Sequence, residues 1–379
     1  MEAYPFTASG KVDRLSLPAP DTSRPSQEQV YLAPRDLLEH LLVDLWQSVL
    51  GLKEVGVHDN FFEIGGDSIK GAILINRLQQ LLGEYVYVVA IFDAPTVAQL
   101  ADYLRQQFAT AVERLGCPRI EAEGSITQRA EWSPLVELKQ GDSRPLFFVH
   151  PVGGNVLCYA QLAHYLGPEQ SFYGLQSFGL ADGHSPLGEI SEMASRYLEA
   201  LHRVQPEGPY LLGGWSMGGI IAFEMAQQLH RVGQVSLLVL LDSHTPAALA
   251  QPEEIDDEEL LLQFKSDMSA LYGLEGRGFD SDQLSRLFQV FRMNVHAMMR
   301  YQPQSYPGRI TFFRAGNQIS DASYDPIEDW RALATGGVEV HMVPGDHYTM
   351  LREPSVVVTA EWLKVCLNNT RTVAAASSS

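Results

Sequence analysis

The chain has 379 residues, 45% of them hydrophobic, and a net charge of −19, so it is long enough for two or three domains and supplies a substantial core. The negative balance excludes a surface built for nucleic acid or anionic lipid, where Lys and Arg must be in excess, and no stretch approaches the ~20 apolar residues that cross a bilayer. Cys117, Cys158 and Cys366 are too few and too scattered for a disulfide framework or a metal cluster, and the N-terminus MEAYPF lacks a signal segment, which together predict a soluble cytoplasmic protein.

Residues 1–30 carry Pro5, Pro18, Pro20 and Pro25 and no hydrophobic periodicity, the signature of an extended or loosely packed segment. From Pro34 the pattern turns helical. Leu38, Leu42, Leu45, Trp46 and Val49 recur at helix spacing and stop at Gly51. A second helix follows GGDSIKG (Gly65 to Gly71) and ends at Gly83, and Thr96-Val97-Ala98-Gln99 is a capping box that opens a last helix through about Phe108. Residues 31–108 are thus predicted to form a small helical bundle. Residues 109–133, poor in large apolar side chains and holding Gly116, Pro118, Gly124 and Ser125, read as a flexible linker.

Over residues 134–370 strand and helix patterns alternate. LFFVH, SFYGL, PYLLGG, VSLLVLLD, RITFFRA and VEVHMV are short apolar runs with helical segments between most of them. This is the rhythm of a mostly parallel sheet covered on both faces. One crossover differs: two amphipathic stretches over about residues 245–303 form an insertion placed to act as a lid. The tail, 371–379, is expected to be disordered.

The frame Gly-Gly-x-Ser-x-x-Gly occurs twice, as GGDSIKG and as GGWSMGG, Gly213 to Gly219. The second copy contains Gly-x-Ser-x-Gly between the strand PYLLGG and the helix IIAFEMAQQL, a sharp turn that presents Ser216 as a nucleophile. A hydroxyl needs a base, and the base needs an orienting acid. His347, in PGDHYTML, stands after the run VEVHMV and ahead of a terminal helix, where the base belongs. His150 precedes the nucleophile and His244 crowds the acid, so both are weaker. Asp242 ends VSLLVLLD at a carboxyl edge and is the favoured acid, with Asp321 and Asp325 after the next strand as competitors. The backbone N–H of Met217, and that of Val152 in the loop HPVGGN, are the predicted donors to a developing oxyanion.

Ser68, in the first copy, has no glycine two residues on, no preceding strand and no nearby histidine, so it is not a nucleophile. Asp67 and Ser68 can simply cap the helix. Equally, a hydroxyl at a helix N-terminus suits attachment of a phosphodiester, whose charge the helix dipole favours.

FFEIGGDSIKG and its spacing to DAPTVAQLADYL resemble the peptidyl carrier (thiolation) domain of nonribosomal peptide synthetases, which implies that Ser68 bears covalent 4′-phosphopantetheine. GGWSMGG, LLDSHTP and GDHYTML resemble the three catalytic motifs of the type I thioesterase that ends such assembly lines. That resemblance implies an α/β-hydrolase domain and supports Asp242 as the acid. PFTASGKVDRLSLP is similar to the end of an adenylation domain, with Lys11 at its last lysine position and the rest of that domain missing, as in an excised fragment.

The implied partners are a phosphopantetheinyl transferase, upstream adenylation and condensation domains, and an acyl or peptidyl thioester. The implied enzyme is a serine thioesterase that takes the acyl group from Ser68's arm onto Ser216 and releases it by hydrolysis, cyclisation or dimerisation. The alternatives are a free-standing esterase or lipase with an unrelated helical appendage, an editing thioesterase, and a carrier module whose hydrolase-like domain is inert.

Overall fold

The computed structural model describes residues 31–66, 68–82, 84, 86, 90–116, 133–180, 184–230, 235–245, 256–272, 281–317 and 325–377. The segment 1–30, Asp67, Cys117 and Asp321 lie outside the described residues.

The N-terminal region is a helical bundle of α1 (Leu37–Leu50), α2 (Ser68–Leu82), α3 (Ala90–Asp93), α4 (Val97–Gln107) and α5 (Ala109–Arg114). The Asp36 side chain caps α1 by accepting from the Glu39 N–H, and Gly51, at φ 72°, ends it in the left-handed conformation. Leu38, Leu42 and Trp46 recur every fourth residue and are fully buried, with the Trp46 indole edge-on to Phe61 at 5.0 Å. Thr96 caps α4 by accepting from the Gln99 N–H at 3.2 Å.

Residues 109–114, expected to open a linker, form α5 instead. In α5, Ala111 and Val112 are buried in the bundle core, and Arg114 donates to the Leu82 carbonyl (3.2 Å) while pairing with Glu84 (2.8 Å). Small apolar residues suffice to add a short helix to a core already built, so the scarcity of large side chains does not signal α5.

The C-terminal region is a seven-stranded sheet of β1 (Leu135–Lys139), β2 (Leu146–Val149), β3 (Phe172–Leu175), β4 (Tyr210–Trp215), β5 (Val235–Leu241), β6 (Ile310–Ala315) and β7 (Val338–Val343), in the order β1-β3-β2-β4-β5-β6-β7. Every pair is parallel except β1 with β3. The half-buried edge strand β1 is an addition to the predicted runs, because LVELK lacks their continuous apolar character.

Consecutive strand residues feed opposite layers. Phe147, Leu240 and Phe312 pack with α7 (Ile190–His202) and α8 (Met217–His230), whereas Phe148, Leu241 and Phe313 pack with α6 (Ala160–Tyr165) and the C-terminal helix. Between β5 and β6 the chain adds α9 (Asp257–Tyr272) and α10 (Ser281–Arg300), which share a small core of Leu260, Phe264, Met268, Phe291 and Val295. The remaining helices are α11 (Pro326–Leu333) and α12 (Ser355–Ser377).

The tail expected to be disordered from residue 371 is therefore helical through residue 377. RTVAAAS contains no glycine or proline to stop α12, and alanine is the best helix former. The bundle meets the sheet domain where α3 lies beside β1 and α2 beside α9.

Candidate active site

Ser216 sits between β4 and α8 at φ +57°, a left-handed conformation that costs a non-glycine residue about 1–2 kcal/mol. The turn exists because glycine flanks it. A Cβ at Gly214 would fall 2.1 Å from the Gly218 carbonyl carbon, and one at Gly218 would fall 2.1 Å from the Val149 carbonyl oxygen. Only hydrogen side chains let strand, turn and helix approach this closely. Met217 opens α8, so its N–H is among those at the helix N-terminus with no intrahelical acceptor.

Asp242 follows β5 and is also left-handed, at φ +44°. Each of these two residues is tied sideways to the next strand: the Ser216 N–H donates to the Leu241 carbonyl at 3.0 Å and the Asp242 N–H to the Phe313 carbonyl at 2.8 Å. The Asp242 carboxylate is 1% exposed. Its Oδ2 accepts from His347 Nδ1 at 2.8 Å and its Oδ1 from the Ala315 N–H at 3.2 Å. Burial alone would push this carboxyl up, but the hydrogen bond and charge of His347, with the Ala315 N–H, outweigh it and hold the group below its ordinary range. Because an ionised carboxylate only accepts, Nδ1 of His347 carries a proton, so in the neutral ring Nε2 is the lone-pair acceptor, the form a general base requires.

His347 lies in a loop fixed by its neighbour. Asp346 Oδ1 accepts from the Tyr348 N–H (3.0 Å), the Thr349 N–H (2.9 Å) and the Thr349 hydroxyl (2.8 Å). The imidazole packs on the Trp215 indole at 5.0 Å and is met edge-on by Tyr348 at 5.2 Å. The base candidate thus rests against the residue that immediately precedes the nucleophile candidate.

Of the competitors, Asp325 caps α11, accepting from the Ile327 N–H at 3.0 Å and from Arg314 at 3.1 Å, so it does not join the site. His150 is fully buried between the Pro151 carbonyl and the Tyr197 hydroxyl, each at 2.7 Å, and burial pushes it down to about 4, which makes it a neutral structural histidine. His244 lies 6.5 Å from His347, ring to ring, and burial also lowers its pKa.

Val152 follows β2 and packs against both the main core and the small core of α9 and α10. Two contacts between this insertion and the site were invisible in the sequence. Tyr348 donates to Asp267 of α9 at 2.7 Å, and Asn294 of α10 donates to the Val152 carbonyl at 2.8 Å. Neither has a local motif, because the partners lie 81 and 142 residues apart.

Ser68 is the first residue of α2, preceded by Gly65 at φ +97°, whose carbonyl accepts from Lys70 at 2.7 Å. A groove of about 440 Å³ runs beside this loop, lined by Gly65 and Gly66 of the bundle and by Lys139, His164, Tyr165 and Glu353 of the sheet domain. Among the described residues no group of side chains could hold a metal ion, and no helix is long and apolar enough to cross a membrane.

Residues 144–362 match the thioesterase domain family, and residues 40–104 match the phosphopantetheine attachment site family. Malpinin synthetase of Mortierella alpina is 34% identical over 371 residues, covering 96% of this chain and 4% of that protein. The dimodular nonribosomal peptide synthase of Bacillus subtilis is 33% identical over 362 residues, covering 89% and 14%. This chain therefore spans a small fraction of the curated relatives it matches. Among solved structures, a four-domain nonribosomal peptide synthetase bound to AMP and glycine has a TM-score of 0.58 at 29% identity, covering 96% of this chain and 28% of that one. The NocB thioesterase domain in covalent complex with a fluorophosphonate nocardicin G analogue has a TM-score of 0.53 at 28% identity, covering 62% and 99%.

Proposed function

Since the chain belongs to the thioesterase-domain family of nonribosomal peptide synthetases, with a phosphopantetheine attachment domain ahead of the thioesterase domain, we propose that it releases the finished acyl or peptidyl chain from an assembly line through a Ser216–His347–Asp242 triad. The observation that carries this reading is the buried 2.8 Å bond between Asp242 and His347, with the imidazole packed on the neighbour of a strained Ser216. Residues 31–116 act as the carrier domain, and residues 133–377, with α9 and α10 as its lid, act as the thioesterase domain.

The residues around Ser68 fit 4′-phosphopantetheine. Ser68 begins a 15-residue helix whose first N–H groups favour a phosphodiester, and the adjoining groove is open beside two glycines. When bound there, the group supplies the thiol that presents the acyl chain as a thioester.

The chain's own residues then do the following. His347 Nε2 takes the proton of the Ser216 hydroxyl as Oγ bonds to the thioester carbonyl carbon, and the N–H groups of Met217 and Val152 donate to the oxyanion that develops. As the carbon–sulfur bond breaks, His347 returns the proton to the leaving sulfur, and the acyl group remains on Ser216 as an oxyester. Asp242 holds the imidazole in its productive tautomer and stabilises its charged form. In the second half, His347 deprotonates water, or an amine or hydroxyl of the acyl chain itself, and returns the proton to Ser216 Oγ. A phosphopantetheinyl transferase and upstream adenylation and condensation domains are the implied partners.

Mass spectrometry of the loaded chain tests the assignment. Ser216→Ala should strand acyl groups on the carrier, and Ser68→Ala should abolish the mass gained on incubation with coenzyme A and a phosphopantetheinyl transferase while leaving cleavage of small free thioesters intact. Fast release by the first variant, or modification of the second, refutes the corresponding role.

A further inference from the structure

The lid helix α10 is attached to the body at its end and at its middle. The C-terminal end of α10 is fixed: Arg300 donates to the Gly188 carbonyl at 2.9 Å, and the Tyr301 hydroxyl donates to Glu224 at 2.6 Å, with the Gln227 amide oxygen 3.0 Å away, both on α8, the helix that Ser216 leads into. One turn apart on α10, Val290 and Asn294 meet the loop after β2. A Cβ at Gly154 would come within 2.7 Å of the Val290 side chain, so loop and helix lie as close as a glycine permits.

Asn294 is fully buried, and its Nδ2 donates to the Val152 carbonyl at 2.8 Å. Its Oδ1, also buried, finds no partner among the described residues. A half-satisfied buried amide lowers stability, and an apolar side chain of similar size would avoid that cost. The single bond to Val152 is what sets this position apart from the apolar core around it.

We infer that Asn294 is a positioning residue: by holding the Val152 carbonyl it fixes the loop HPVGGN, so that the Val152 N–H faces the reacting carbonyl. The oxyanion hole is then completed by α10 together with the loop's own bonds, from the Gly154 N–H to the Pro151 carbonyl (2.8 Å) and from the Ser177 N–H to the Gly154 carbonyl (2.8 Å), neither of which holds the Val152 carbonyl. The inference rests on the reading of the Val152 N–H as an oxyanion donor.

The test uses the full chain and a small acyl thioester of N-acetylcysteamine. Asn294→Leu removes the donor and the unpartnered oxygen together, so the expected result is a Tm near that of wild type, kcat about 10- to 100-fold lower, and KM within about twofold. Asn294→Asp is isosteric and donates to the Val152 carbonyl only while protonated, a form that burial favours. The ratio of its kcat to that of wild type should therefore rise as pH is lowered from about 8 to about 6, a trend that packing alone does not produce. A folded Leu variant with wild-type kcat overturns the inference. If the Leu variant fails to fold, a folded Asn294→Ala variant with wild-type kcat overturns it instead. A fluorophosphonate should label Ser216 quickly in wild type and slowly in Asn294→Leu; a wild-type chain that is not labelled at Ser216 removes the active-site reading on which the inference depends.

Discussion

Asp242→Asn is the most revealing single change. Asparagine is close to isosteric, and it is among the few residues that tolerate the left-handed φ of +44° at this position. The fold should therefore survive with a Tm near that of wild type. The two contacts of the side chain decide the chemistry. The Ala315 N–H must keep an acceptor, so the amide oxygen takes the place of Oδ1 and the NH2 group is turned toward His347 Nδ1. A donor now faces a nitrogen that formerly donated. The imidazole must shift its proton to Nε2, the nitrogen that has to accept from Ser216, and the buried negative charge that stabilises the imidazolium is gone. Loss of both effects is worth about 10⁴-fold in kcat, or roughly 5.5 kcal/mol of transition-state stabilisation. Release of thiol from an acyl-N-acetylcysteamine substrate, followed in the same preparation used for thermal melting, gives both quantities. A variant that melts like wild type and keeps kcat within about tenfold would show that Asp242 does not orient the base, and the triad would have to be abandoned.

Gly218→Ala should cost about 1–3 kcal/mol or more in denaturant unfolding, because its new methyl meets the Val149 carbonyl oxygen at 2.1 Å and α8 must retreat from β2. Activity should fall with it, since Met217 and Ser216 move with that helix; an unfolding midpoint like that of wild type would contradict the close approach. Asp267→Asn should stabilise the protein in a pH-dependent way. Burial raises the Asp267 carboxyl, against the opposing hydrogen bond from Tyr348. A carboxyl raised on folding binds protons more readily in the native state, so its contribution falls as pH rises through the shifted range. The amide keeps an acceptor for Tyr348 and never ionises. The Tm advantage of the variant over wild type should therefore widen from about pH 4 to about pH 7, and a constant or shrinking gap would contradict the shift.

The readable parts of the sequence were those whose physics is local. Strands β2 and β4 to β6 announced themselves as continuous apolar runs because both of their faces are covered, whereas β1 has one half-exposed face and no such run. Gly214 and Gly218 marked the turn at Ser216 because no other residue fits there. Strand-end position favoured Asp242 over Asp325, and the structure brings the former to His347 while the latter caps a helix. Residues 109–114 are helical where a linker is expected, because Ala111 and Val112 bury well without being large. Asn294 and Asp267 stayed hidden for another reason. Each looks like an ordinary polar residue of an amphipathic helix, and only the folding of α9 and α10 over the sheet brings them to Val152 and Tyr348.

The sideways bonds from Ser216 to Leu241 and from Asp242 to Phe313 extend the ladders of β4–β5 and β5–β6 by one rung, and those rungs hold the two left-handed residues. Neither backbone can relax without unzipping the centre of the sheet. The amide protons of both residues should therefore exchange with solvent only when the whole domain opens, and heating should extinguish turnover at the global melting transition rather than some degrees below it.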